Sequence, residues 1–211
     1  MNLNNLFEIQ DKLDKHIVKE KSLEGQDLLD KKILALQVEL GELANEWRGF
    51  KFWSKDQEPN LKCFCKACDG FGTREGLDID WQPYQEPCEY CGGKGAYGNP
   101  LLEEYVDCLH FILSIGLETE LKIAEIKPAP RYYRDTTFAF NQVFNDVAAF
   151  GSIEYAERNN LLGMDDLKQA YEELLGGFLR LGQLLGFSWE QIEVAYMQKN
   201  EINYARQENG Y

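Results

Sequence analysis

The sequence predicts an all-α helical bundle interrupted once by a small four-cysteine, zinc-ribbon-like insertion. Three observations predict it. Apolar residues recur at helical spacing through most of the chain, strand-like alternation is scarce, and the stretch from about Asp56 to Asn99 departs from the rest in being rich in Gly, Cys and Pro. A chain of 211 residues can bury a substantial core and suits one domain with an insertion. The expected division is 1–55 with 100–211 for the helical domain and 56–99 for the inserted module.

Leu3 to Val18 carries the first helical pattern. The second, Asp27 to Trp47, sets Leu36, Leu40, Leu43 and Trp47 on one apolar stripe, with Glu39, Glu42 and Glu46 on a strip about 100° round from it, at the edge of the core rather than opposite it. The third runs from Pro100 to about Lys122 and is so apolar that Glu104 and Asp107 have little solvent face to occupy. The PAPRYYRD segment reads as a loop, and Phe138 to Phe150 as a further short helix. Asp165 to Leu185 follows, ended by Gly186, and Ser188 with Gln191 forms a capping box opening the last helix, Trp189 to Arg206.

The acidic pairs, Glu39/Glu42 in VELGELANEW and Glu104/Asp107 in LLEEYVDCLHFILSIG, form the pattern ExxE…ExxD. Spacing of three puts both members of a pair on one helical face, so two such helices side by side offer four or five carboxylates, counting Glu46, to hard cations. Carboxylates about 5.5 Å apart repel by about 0.8 kcal/mol in water and about 3 kcal/mol at an effective dielectric of about 20. Burial adds a desolvation cost, so the cluster needs a cation or must take up protons. One ExxE alone is ordinary surface; two, each lying against apolar residues, point to Mg²⁺ held against phosphates.

At the C-terminus Lys199, Asn203 and Arg206 share a face, with Asn200 and Gln207 on a neighbouring row and Gly210 and Tyr211 closing the chain. Lys and Arg suit phosphate oxygens, while Asn and Gln can read the amide-like edge of a base or a sugar hydroxyl. The bland alternative is an exposed polar helix.

Cys65 and Cys68 in CKACDGFG, and Cys88 and Cys91 in CEYCGGKG, are two CxxC pairs separated by 19 residues, the spacing of a four-thiolate zinc site. Four thiolates complete a tetrahedral shell, which marks the zinc as structural, and the glycines suit turns that aim backbone N–H groups at the sulfurs. Cys63 is a further thiol upstream, and Cys108 reads as a small core residue. Over about 30 residues the CxxCxGxG pairs resemble the zinc repeats of DnaJ-type chaperones, with two repeats where those proteins carry more and no HPD signature of a J-domain. No chaperone function is carried over.

The formal net charge of −14 and pI near 4.6 argue against a nucleic-acid polymer as partner, because backbone phosphates are bound mostly by Lys and Arg. No stretch reaches 18 uninterrupted apolar residues and the N-terminus lacks signal-peptide regions, so neither membrane insertion nor secretion is expected, and the reading is cytoplasmic.

Taken together, ELGELANEW followed by GFKFWS, then EEYVDCLHF, and the terminal KNEINYARQENGY resemble the dimeric all-α dUTPases, relatives of the MazG-like nucleotide pyrophosphatases. The motifs stand in family order and span nearly the whole chain outside the insertion, which is a departure from the family. The resemblance implies the all-α nucleotide pyrophosphatase fold, a homodimer, and hydrolysis of dUTP to dUMP and pyrophosphate by a metal-activated water attacking the α-phosphorus. Glu39, Glu42, Glu104 and Asp107, with Glu46 at the margin, would hold two or three Mg²⁺, and Glu42 would take the water's proton. Lys199 and Arg206 would clamp phosphates, helped by Lys51. Gln10 and Asp14, in QDKLD, match the motif facing uracil; Asn203 would contact the nucleoside and Trp53 the base or sugar. The rival readings are a broader MazG-like enzyme such as a dCTP pyrophosphatase, and an interaction protein that binds a regulator through the zinc module.

Overall fold

The computed structural model describes residues 3–77 and 79–209; Gly210 and Tyr211 of the terminal motif lie outside them. Six α-helices are described: α1 Leu3–Glu20, α2 Leu29–Trp47, α3 Pro100–Glu118, α4 Thr136–Arg158, α5 Met164–Leu184 and α6 Trp189–Glu208. Four short strands lie between α2 and α3: β1 Cys63–Phe64, β2 Thr73–Leu77, β3 Pro83–Pro87 and β4 Ala96–Tyr97. β1 pairs antiparallel with β4 and β2 with β3, making two two-stranded ladders. The all-α expectation therefore holds, with the cysteine cluster interrupting the bundle.

Local chemistry sets the helix ends. Asn99 caps α3, its side chain accepting from the Leu102 amide, and Pro100 takes the first helical position, where no amide donor is needed. Ser188 and Gln191 form the expected capping box on α6. Arg48 closes α2 in the left-handed conformation at φ 64°. α4 is longer than the sequence suggests, because Gly151 and Ser152 do not stop it: the helix continues to Arg158, which bridges the buried Glu154 and Asp27 and so ties the end of α4 to the start of α2. α3 is shorter than expected, ending at Glu118, and a 3-10 turn at Ile123–Glu125 begins the loop to α4.

The core is one cluster drawn from every helix. α2 packs along α3 and α4 along α5. α3 and α5 are locked by two reciprocal contacts: Tyr105 lies over Gly182 and donates to the Phe178 carbonyl at 3.3 Å, while Tyr171 lies over Gly116 and donates to the Ile112 carbonyl at 2.8 Å. The PAPRYYRD loop is bolted to α5, the Ala129 amide donating to the Glu172 carbonyl at 2.9 Å. A β-carbon at Gly176 would run into the Ala129 carbonyl oxygen, a backbone atom that cannot swing aside. Gly176→Ala should therefore destabilise the protein by about 2 kcal/mol or more, read from urea unfolding; an unchanged midpoint would show that the loop is not held there.

Candidate active site

The pairing of α2 with α3 brings the two acidic strips together. Glu39 and Glu42 on α2 and Glu104 on α3 each offer a carboxylate oxygen within 4.8 Å of the others. Glu104 is pushed up to about 7, first by burial and then by the charges of Asp107, Glu39 and Glu42. Glu39 is raised by burial and by Asp107 and Glu42. Protons are thus retained where negative charge lacks compensation, the situation that a bound cation relieves. The donor set, three hard oxygens at one point, suits Mg²⁺.

Asp107, the remaining carboxylate of the pattern, and the additional Glu46 have protein partners. Asp107 accepts from Lys199 at 2.6 Å, and the same ammonium reaches Glu103 at 3.0 Å. Burial raises Asp107 against the opposing pull of Lys199; burial likewise works against the Lys199 charge, but the contacts with Asp107 and Glu103 outweigh it and raise its pKa. Glu46 accepts from the Asn60 side-chain amide at 2.7 Å.

Beside the acidic cluster is a cavity of about 210 Å³. Glu39, Asp107 and Lys199 line one side, and Asn203 and Arg206, further along α6, continue it. Another part of the wall comes from α1, through Gln10 and Asp14, and from α3, through His110, Phe111 and Ser114. A buried network shapes that wall. The Gln10 carbonyl oxygen accepts from Tyr196 at 2.6 Å and faces His110 Nδ1 at 2.7 Å, the Gln10 amide donates to Asp14 at 2.7 Å, and Ser114 donates to the other Asp14 oxygen at 2.6 Å. Burial drives His110 down to about 3, so its ring is neutral, and the contact with the Gln10 carbonyl assigns the proton to Nδ1. Asp14 is raised by burial, with Lys32, Ser114 and Gln10 pulling the other way.

Of the residues the sequence suggests, the fold thus gathers Gln10, Asp14, Glu39, Glu42, Glu104, Asp107, Lys199, Asn203 and Arg206 around one cluster and its cavity. It does not bring the others to the cavity wall. Asn200 and Gln207, on the neighbouring row of α6, do not line it, Lys51 bonds the Asn45 carbonyl at 3.3 Å, and Trp53 is 66% exposed, packed edge-on against Phe50 and Phe52. Sequence reasoning missed His110, Phe111, Ser114, Glu103 and Tyr196. Three of these had a signal: His110, Phe111 and Ser114 follow Asp107 at spacings of three, four and seven, on the face of α3 that carries the carboxylate.

A second candidate metal centre is built from Cys65, Cys68, Cys88 and Cys91, buried and mutually within 4.8 Å. Sulfurs at about 2.3 Å from a tetrahedral zinc are about 3.8 Å apart, and both the Cys65–Cys88 and Cys68–Cys91 pairs are separated by 3.8 Å. The Gly72 amide points at Cys68 Sγ at 3.2 Å and the Gly95 amide at Cys91 Sγ at 3.3 Å, with both glycines at positive φ. At Cys88 burial opposes ionisation, yet the amides of Cys91 and Tyr90 and the thiols of Cys68 and Cys65 bring it down to about 7. Donor set, spacing and amide support all fit zinc. Cys63 stands outside this cluster and Cys108 is fully buried in the core.

An all-α bundle that gathers carboxylates from two adjacent helices beside a cavity with a lysine and an arginine belongs to the class of nucleotide hydrolases. The sequence model of the all-α dUTPases matches residues 2–67 and 94–211, and the chain belongs to that dUTPase family, enzymes that hydrolyse dUTP. The match breaks over 68–93, within the cysteine-rich stretch. No individual curated protein matches the chain. Among the described residues no helix is long and apolar enough to cross a membrane.

Proposed function

We propose that the chain is a Mg²⁺-dependent enzyme that hydrolyses dUTP to dUMP and pyrophosphate in the cytoplasm, as a homodimer. The observation that carries this reading is the convergence of Glu39, Glu42 and Glu104 within 4.8 Å, beside a cavity lined by Lys199, Asn203 and Arg206. Glu39, Glu42, Glu104 and Asp107 would hold two or three Mg²⁺, with Glu46 at the margin. The metal's contribution is to neutralise phosphate charge and to lower the pKa of a bound water facing the α-phosphorus. Glu42, the exposed member of the three, has the solvent access to take a proton from that water and release it. Lys199, which pairs with Asp107, would offer its ammonium to phosphate oxygens once Asp107 served the metal, and Arg206, two turns further along α6, would bind the phosphate chain. Gln10, oriented by His110, Tyr196 and Asp14, and Asn203 across the cavity present fixed donors and acceptors to the nucleoside. The four cysteines hold a structural zinc within an inserted module spanning 56–99. Phe71, Trp81 and Tyr90 stand exposed on that module, which favours a second role for it as a surface for a protein partner.

The test is turnover of dUTP, dCTP, dTTP, dATP and UTP with Mg²⁺ present or omitted, resolving pyrophosphate from phosphate. Omission is preferable to a chelator, which would also strip zinc. Selective, Mg²⁺-dependent release of dUMP and pyrophosphate is expected. Asn203→Ala should lower the preference for dUTP over dCTP by about tenfold or more, because a pocket that pairs a base edge rejects the base that leaves its buried groups unpaired. Equal turnover of dCTP by the unaltered protein would move the assignment to a broader pyrophosphatase.

A further inference from the structure

Asn60 is the joint between the acidic helices and the zinc-binding stretch. Its amide donates to the Glu46 carbonyl at 2.9 Å and its side chain to the Glu46 carboxylate at 2.7 Å, while its own carbonyl accepts from the Leu101 amide at 3.1 Å. It therefore satisfies an orphan carbonyl in the last turn of α2 and an orphan amide in the first turn of α3. Glu42 lies one turn before Glu46, and Glu104 one turn after Leu101. One residue thus sets the registry of the two helix ends that present the carboxylates.

On its other side Asn60 leads directly into the cysteine-rich stretch. β1 starts at Cys63 and pairs Cys63 with Tyr97 and Phe64 with Ala96; Asn99, two residues beyond Tyr97, caps α3. The next rungs belong to the zinc knuckles, where the Cys65 amide donates to the Gly95 carbonyl at 3.0 Å and the Cys88 amide to the Gly72 carbonyl at 2.8 Å. A ladder of two residue pairs does not hold on its own. With the thiolates tied through zinc, the two stems would leave the module at a fixed separation; without it, they would be free to splay and Asn60 would lose its place.

We propose that Asn60 is a positioning residue for the acidic cluster, and that it transmits the zinc-loaded state of the Cys65/Cys68/Cys88/Cys91 centre to that cluster. The proposal rests on the reading of the cluster as the Mg²⁺ site. A residue that orients a metal-binding carboxylate from behind typically changes metal affinity by about 10–100-fold when removed.

The experiment measures the Mg²⁺ dissociation constant by calorimetry, and the Mg²⁺ concentration giving half-maximal rate, for four proteins: the unaltered zinc-loaded chain, Asn60→Ala, Cys68→Ser/Cys91→Ser, and the combined variant. Asn60→Ala removes only the contact with the Glu46 carboxylate and keeps both backbone bonds. It should weaken Mg²⁺ about tenfold while the KM for dUTP at saturating Mg²⁺ stays put, a split that general loosening would not produce. The zinc-free variant should show a similar loss, and the combined variant no more than either alone. Cys91→His, which retains a zinc ligand, should bind Mg²⁺ as the unaltered chain does. Losses that multiply in the combined variant, or an Mg²⁺ affinity indifferent to Asn60→Ala or to zinc, would overturn the proposal. If the double cysteine variant fails to fold, the unaltered chain and Asn60→Ala are instead stripped of zinc with a chelator, dialysed and compared in the same way, and equal Mg²⁺ affinity of the zinc-free and zinc-loaded unaltered chain would overturn the proposal. Absence of Mg²⁺ binding by the unaltered chain is a separate result, which removes the reading of the cluster itself.

Discussion

Glu104→Gln will abolish most dUTP hydrolysis and at the same time stabilise the Mg²⁺-free protein near neutral pH. The two effects have one cause. Glu104 shares its site with Glu39 and Glu42, and its pKa is held up to about 7 by burial and by neighbouring carboxylates. Its ordinary value is 4.5, so the folded state binds the proton more tightly than the unfolded state does. Stability then falls as pH rises through the interval from 4.5 to about 7, and the penalty is complete above it. Glutamine has the same shape and no charge, so the variant escapes the penalty and its stability changes less with pH across that interval. Mg²⁺ should raise the melting temperature of the unaltered chain above pH 7 and do little for the variant. Loss of one group aimed at the reacting charge costs roughly 10²–10³ in turnover. A variant that keeps its activity, or that melts lower than the unaltered chain without Mg²⁺, would show that Glu104 is a surface carboxylate.

The second large effect concerns the cysteines. Cys68→Ser/Cys91→Ser will release bound zinc and unfold the cysteine-rich stretch while the helices remain. The four sulfurs are the only buried apolar cluster described there, and the aromatic residues around them point outward: Phe71 is 81% and Trp81 79% exposed. Among the described residues the stretch therefore has no hydrophobic core to fall back on, and its fold is expected to depend on metal binding, which in zinc fingers supplies about 10–16 kcal/mol of apparent binding energy. Limited proteolysis should cut the variant between β1 and β4 and spare the bundle, whose core is drawn from α1–α6. The helical circular-dichroism signal should survive nearly intact. Protection of that stretch in the zinc-free protein would mean that the pairing of β2 with β3 is self-sufficient.

Much of this architecture was legible in the chain because it is local. Helical periodicity, the start of α3 at Pro100, the Ser188/Gln191 capping box and the CxxCxGxG repeats are each decided within a few residues. The extension of α4 past Gly151 was not, because the salt bridge that secures its end uses Asp27, more than 100 positions away. The candidate site divides in the same way. The ExxE and ExxD spacings place carboxylates on helix faces, and α2 lying along α3 makes them one cluster. Lys51 and Trp53 carry a family-like motif, yet the left-handed turn at Arg48 takes their loop away from the cavity beside Asp107.

The sequence by itself determined which residues could do chemistry: the acidic pairs, the basic and amide residues of the last helix, and the four thiols with the glycines that serve them. Those are matters of side-chain type and of spacing along a helix or a turn, and no neighbour is needed to read them. Only the tertiary structure decided which of them meet. Lys199 sits on Asp107 and Glu103, Gln10 is held between His110, Tyr196 and Asp14, and Asn60 joins the ends of two acidic helices. Such contacts depend on how buried helices pack against one another, where polar groups withdrawn from water must find partners, and those partners come from distant parts of the chain.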